Sequence, residues 1–152
     1  WYWSSRSRGL KYAGHLEAVT ESDSLTFNAE EARRRSPLFM DTEHPKRQQS
    51  QVYLYAGIHD GYKGSVPISQ SVHFYNQLVE ELGGQPGDQV SSTQLVHLLA
   101  QRTSLPHQTL PLLYLGDRLI HLSKQFKNLQ LTIFEGAHEM VREVALDHIR
   151  EP

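Results

Sequence analysis

Residues 51–57, Gln-Val-Tyr-Leu-Tyr-Ala-Gly, form a short β-branched and aromatic run closed by Gly57. That composition and length suit a strand buried on both faces, so the stretch predicts a central parallel strand. A glycine-rich loop follows. Ser69 is then placed to cap a helix running to about Leu82, with Val72, Tyr75, Leu78, Val79 and Leu82 on one face. Gly83-Gly84 stops it. Residues 129–134, Leu-Gln-Leu-Thr-Ile-Phe, read as a second strand, followed by Glu135-Gly136-Ala137-His138-Glu139-Met140 and a closing helix through Ile149. Strand, loop and helix recur, which predicts an α/β fold whose functional groups sit on loops after the strands' carboxyl ends.

Between these two units, residues 84–90 are turn-like. Ser92 to Leu99 begins a further helix that fades before Pro106, with Leu95, Leu98 and Leu99 toward the core. Leu112–Tyr114 and Arg118–Leu122 flank Leu115-Gly116-Asp117, the pattern of a small hairpin. Residues 1–50 are polar and poorly periodic and read mostly as loop. The exception is Asn28 to Arg35, where Asn28 can cap a short helix whose acids precede its bases, ended by Ser36-Pro37. The triple arginine 33–35 reads as a solvated face.

The chain has 152 residues, with 15 basic against 17 acidic side chains and a formal charge of −2. One domain is the expectation at this length. Such a balance gives no electrostatic footprint for nucleic acid or an anionic membrane, and neither is expected as a partner. Zero cysteines exclude a disulfide framework, a thiolate nucleophile and cysteine-based metal sites, and leave the compartment open. No apolar run approaches the roughly 18 residues of a membrane span. The first residue is Trp1, which raises the expectation that the sequence is part of a longer chain.

Two polar residues fall at the predicted strand ends. Asp60 follows the first strand in Gly57-Ile58-His59-Asp60-Gly61-Tyr62-Lys63-Gly64-Ser65-Val66-Pro67. A carboxylate there can accept the proton of one imidazole nitrogen, fixing the tautomer and stabilising an imidazolium. His138 follows the second strand, and an imidazole can take a hydroxyl proton and return it to a leaving group near neutral pH. Each has an ordinary structural alternative: Asp60 as the cap of a turn among glycines, His138 as the start of the last helix. Together and in this order, they favour an orienting acid and a general base.

These two stretches resemble the prolyl-oligopeptidase-like branch of the α/β-hydrolase serine enzymes. Members of that family place the acid after the penultimate strand, in a segment ending Val-Pro with a polar helix start, matched here by Asp60 through Val66-Pro67-Ile68-Ser69-Gln70-Ser71. They place the histidine after the last strand in a Glu-Gly-x-His turn, matched by Glu135-Gly136-Ala137-His138. The resemblance covers about residues 26–150 and implies the chain order Ser, Asp, His. It also implies the C-terminal part of an α/β-hydrolase domain: a lead-in over 1–50, an acid unit over 51–83, an inserted helix and hairpin over 84–128, and a histidine unit over 129–150.

No Gly-x-Ser-x-Gly occurs in the sequence, and residues 1–50 contain no strand leading into a nucleophile elbow. The expectation is therefore a serine hydrolase fragment, peptidase or esterase, inactive alone and needing no cofactor. It would partner the N-terminal part of the same catalytic domain or self-associate through open sheet edges. A noncatalytic binding module on a hydrolase-like scaffold is the alternative. Positions 60 and 138 lie 78 apart, more than one strand–helix–strand step needs, which is the reason for assigning an insertion.

Other chemistries fit less well. Ser65 is followed by Val66-Pro67 rather than a strand-to-helix elbow and reads as a turn serine. His59 beside Asp60, among nine histidines, invites a metal site, but no His-Glu-x-x-His occurs and no metal is assigned. His73, His97 and His148 lie on predicted helices in structural roles. Gly61-Tyr62-Lys63-Gly64-Ser65 lacks P-loop spacing, and Lys63 reads as solvent-facing. Tyr53, Tyr55, Phe74, Tyr75 and Phe134 are explained by core packing.

Overall fold

The computed structural model describes residues 28–39, 49–64, 66–105 and 113–150, without the side chains of 148–150. The chain divides into two compact units at Asp41/Thr42. In the first, helix α1 spans Ala29–Arg34 and a 3-10 turn spans Pro37–Phe39. Asn28 caps α1 by accepting from the Glu31 amide at 2.9 Å. Glu31 in turn binds Arg34 at 2.8 Å and Arg35 at 2.6 Å, and these guanidinium bonds hold its carboxyl at about 2. Residues 1–27 and 40–48 of the lead-in, with Ser65, Pro106 and Leu112 further on, lie outside the described residues.

The second unit carries β1 (Val52–Gly57), α2 (Ile68–Glu81), α3 (Ser92–Gln101), β2 (Tyr114–Leu115), β3 (Arg118–Phe126), β4 (Leu129–Phe134) and α4 (Arg142–Arg150). Its sheet has the order β1-β4-β3-β2. β1 and β4 run parallel, Val52 facing Leu129 and Gly57 facing Phe134, while β3 is antiparallel to both β4 and β2. The architecture is thus mixed α/β with a mixed sheet.

Among the described residues the central parallel strand is β4, not β1. Leu129, Leu131, Thr132, Ile133 and Phe134 are all buried, because β4 has strands on both sides. β1 ends the described strand order and is buried only toward its C-terminus, at Ala56 and Gly57. The segment after the predicted helices is also more than a local hairpin. β3 continues past Leu122 to Phe126, turns through Lys127-Asn128 and pairs with β4, so β2 and β3 belong to the main sheet.

Helix α2 packs its Ile68, Val72, Tyr75, Leu78 and Val79 stripe against β1 and β4. Burying five such side chains contributes about 1.5–3 kcal/mol each before chain entropy is counted. Pro67 rather than Ser69 occupies the cap position, and no side chain caps this helix. Proline has no amide to satisfy and its fixed φ directs the chain into the first turn. Asn76 of α2 holds the following turn, donating to the Val90 carbonyl and accepting from the Val90 amide, both at 2.8 Å. A Ser91–Gln94 capping box then starts α3. Leu98 of α3 is buried, but Leu99 is exposed, since α3 packs on α2 through one narrow face.

Candidate active site

Parallel pairing of β1 with β4 brings their C-termini side by side, and the two loops stay zipped beyond the sheet. The Ile58 amide donates to the Phe134 carbonyl and the His59 amide to the Gly136 carbonyl, both at 2.9 Å. Such close passage requires a glycine at position 57: a Cβ there would lie 2.2 Å from the Ala137 carbonyl oxygen. Asp60 and His138 are carried by these loops and meet directly.

The His138 Nδ1 to Asp60 Oδ2 distance is 2.7 Å. The second carboxylate oxygen, Oδ1, accepts from the amides of Gly61 at 2.8 Å and Val66 at 3.1 Å. Asp60 is thereby oriented by its own loop, with its side chain only 8% exposed, while the His138 side chain is 63% exposed. An ionised carboxylate is an acceptor only, so Nδ1 carries the shared proton and Nε2 of the neutral imidazole keeps a lone pair. Nε2 has no hydrogen-bond partner among the described residues. Gly64 closes against the pair: a Cβ on it would stand 2.3 Å from Asp60 Oδ1 and 2.8 Å from His138 Cβ.

A second set of polar contacts lies beside this pair. Glu135, first residue of the histidine loop, accepts at Oε1 from His59 Nε2 at 2.7 Å and at Oε2 from His121 Nε2 at 2.8 Å. The His121 bond, followed by that of His59, draws the Glu135 carboxyl below its ordinary value despite opposing desolvation. His121 is buried at the β3 bulge and contacts Ser104 Oγ through Nδ1 at 3.2 Å. The same loop is gripped from β3 by Arg118. Its Nη1 and Nη2 donate to Glu139 Oε1 and Oε2 at 2.7 and 3.0 Å, and Nη1 also donates to the Glu135 carbonyl at 3.2 Å. The Arg118 bonds hold the Glu139 carboxyl low.

Asp60 and His138, the two candidates in the sequence, meet at one sheet end, and His59, set aside there as a metal ligand, lies beside them. Glu135, His121 and Arg118 belong to the same assembly and were not among the candidates read from the sequence. Glu135 was within the quoted loop. No periodicity marks His121, because the bulge that turns it inward is not written in the local pattern. Each of the two imidazoles is bonded to Glu135 through its Nε2, and no cluster among the described residues is arranged to hold a metal ion. His73 and Lys63 are exposed. Tyr62, two residues past Asp60, is 65% exposed and lies under the Arg102 guanidinium at 4.1 Å.

Compared with family models, curated proteins and solved structures, the chain matches none.

Proposed function

We propose that Asp60 and His138 are the orienting acid and the general base of a serine hydrolase similar to the prolyl-oligopeptidase-like enzymes, acting on an ester or peptide carbonyl. The observation that carries the reading is the 2.7 Å Asp60–His138 contact, made through Nδ1 of an imidazole whose side chain is otherwise largely exposed. In this reading Nε2 takes the proton of a serine hydroxyl as the oxygen attacks the carbonyl carbon, and Asp60 stabilises the imidazolium. His138 then protonates the leaving alcohol or amine. Water, deprotonated by the same Nε2, releases the acyl group and regenerates the serine. A buried, doubly bonded carboxylate behind an exposed imidazole supports the assignment of roles, because it fixes the tautomer while leaving the base accessible.

The nucleophile is assigned to the N-terminal part of the same catalytic domain, beyond these 152 residues, since no Gly-x-Ser-x-Gly occurs in them. That same lack favours the second reading, a binding module that keeps the dyad geometry without turnover. The test is to express the complete reading frame, label it with a fluorophosphonate and map the modified residue. Labelling of one serine in a segment upstream of the acid, lost in His138→Ala, is the expected result. No labelled serine, or labelling indifferent to His138, would select the binding module.

A further inference from the structure

We propose that Glu135 is a positioning residue, a carboxylate tie that holds the acid loop and the histidine loop at the separation which lets Asp60 meet His138. Its catalytic meaning rests on the serine-hydrolase reading above; its structural content does not.

Backbone ties between the two loops stop short of Asp60 and His138. Two interloop bonds, Ile58 to Phe134 and His59 to Gly136, extend the parallel ladder, and Asp60 turns back to bond its own strand at Gly57. The His59 side chain bonds that of Glu135 within the stretch these ties close, so side chains fasten the loops at the last level the backbone reaches before Asp60 and His138. His59 immediately precedes Asp60, and Glu135 lies three residues before His138. A displacement of either end is passed directly to the dyad.

The other carboxylate oxygen anchors the tie to the sheet. His121 Nε2 reaches Glu135 from inside the protein, its side chain 4% exposed, while the Glu135 side chain is 47% exposed. A buried imidazole at a core position needs partners for both nitrogens. With Nε2–H donating to Glu135, Nδ1 is the acceptor for the Ser104 hydroxyl at 3.2 Å. Ser104 is fixed in turn, its carbonyl lying 3.2 Å from His97 Nε2. The route runs from α3 through Ser104, His121 and Glu135 to His59, every link a hydrogen bond. Ser104, His121 and Glu135 also follow the order of a nucleophile, base and acid. His121, however, is buried with both nitrogens occupied and cannot meet a substrate, so the set holds structure rather than turning over.

The experiment uses the 152-residue chain with nitrogen-resolved NMR of its imidazoles at mildly alkaline pH, where the tautomer of each neutral histidine is read directly. The unmodified chain should show His138 with its proton on Nδ1, and Asp60→Asn should abolish that preference. Glu135→Ala should abolish it as well, with the methyl signals of Leu131 and Ile133 unchanged. Glu135→Gln, which keeps one acceptor oxygen, should restore it in part. His59→Phe cuts only the link between the loops and leaves His121 paired, so it serves if Glu135→Ala fails to fold; it should also release His138. In the complete hydrolase, Glu135→Ala should lower kcat by about 10²-fold, the penalty of an ångström-scale misplacement, with KM little changed. A His138 tautomer unaltered in folded Glu135→Ala or His59→Phe overturns the tie while the dyad stands. A preference missing from the unmodified chain, or surviving Asp60→Asn, overturns the dyad itself.

Discussion

Gly64→Ala disturbs the acid and the imidazole without altering either. Gly64 is not in the left-handed region, so alanine brings no backbone strain, and the effect is purely one of space. The new Cβ would sit 2.3 Å from Asp60 Oδ1, whereas ordinary contact begins at 3.4 Å, so one of the two must move about 1.1 Å. Asp60 has little room, held at Oδ1 by two amides and at Oδ2 by His138. Hydrogen bonds to a charged group are worth about 1.5–3 kcal/mol. The amide bonds lie on the buried side and the imidazole on the exposed side, where water replaces part of the loss. A net cost of about 2–3 kcal/mol follows, or a fall in Tm of roughly 5–10 °C for a chain of this size. Gly87→Ala is the matched control, since a Cβ there meets nothing within 4 Å. Parallel thermal melts give the comparison, and on the proposed hydrolase reading acyl-transfer kinetics of the complete reading frame's product accompany them. If Gly64→Ala melts with Gly87→Ala and keeps full kcat, the packing of Gly64 against the dyad is wrong.

Three further outcomes follow from the same geometry. Asp60→Asn keeps the shape and one acceptor oxygen for the Gly61 and Val66 amides, so it should stay folded with a modestly lower melt, yet lower acyl transfer by about 10²–10⁴-fold; equal activity per folded molecule would return Asp60 to a turn-capping role. Glu135 has a folded carboxyl value below the ordinary 4.5, so its contribution is present above pH 4.5 and lost as pH falls through the folded value. Urea titrations should therefore show the stability gap between the parent and Glu135→Gln narrowing on acidification below that point, and a constant gap would refute the linkage. Leu131→Ala, at a fully buried position of β4, should cost about 2–5 kcal/mol, read as a lower urea midpoint; a loss under 1 kcal/mol would contradict the central place of β4.

The elements that could be read from the sequence are those whose signal is local. The stripe Val72, Tyr75, Leu78 and Val79 has helical spacing and is the face α2 buries, and the apolar run 129–134 is β4. Asp60 and His138 were identifiable because parallel neighbours place the residues after their C-termini together whatever the intervening chain does. Lost were features that depend on nonlocal pairing. The sequence predicts that β3 stops at Leu122, because Ser123-Lys124-Gln125 is polar and the bulge between Ile120 and Leu122 breaks the two-residue alternation. Without the full length of that strand, the sequence predicts β1 rather than β4 at the centre. The same bulge turns His121 inward to Glu135, so the missed strand register and the missed polar tie have one cause. Leu99 was counted as core on helical spacing alone, but nothing in that spacing states how wide a face α3 would cover.

The most direct measurement is kcat/KM of the complete reading frame's product for an activated ester, compared per folded molecule with its His138→Ala variant. A loss of about 10²–10⁴-fold with the fold retained is the expected result. Activity within twofold of the parent would contradict it.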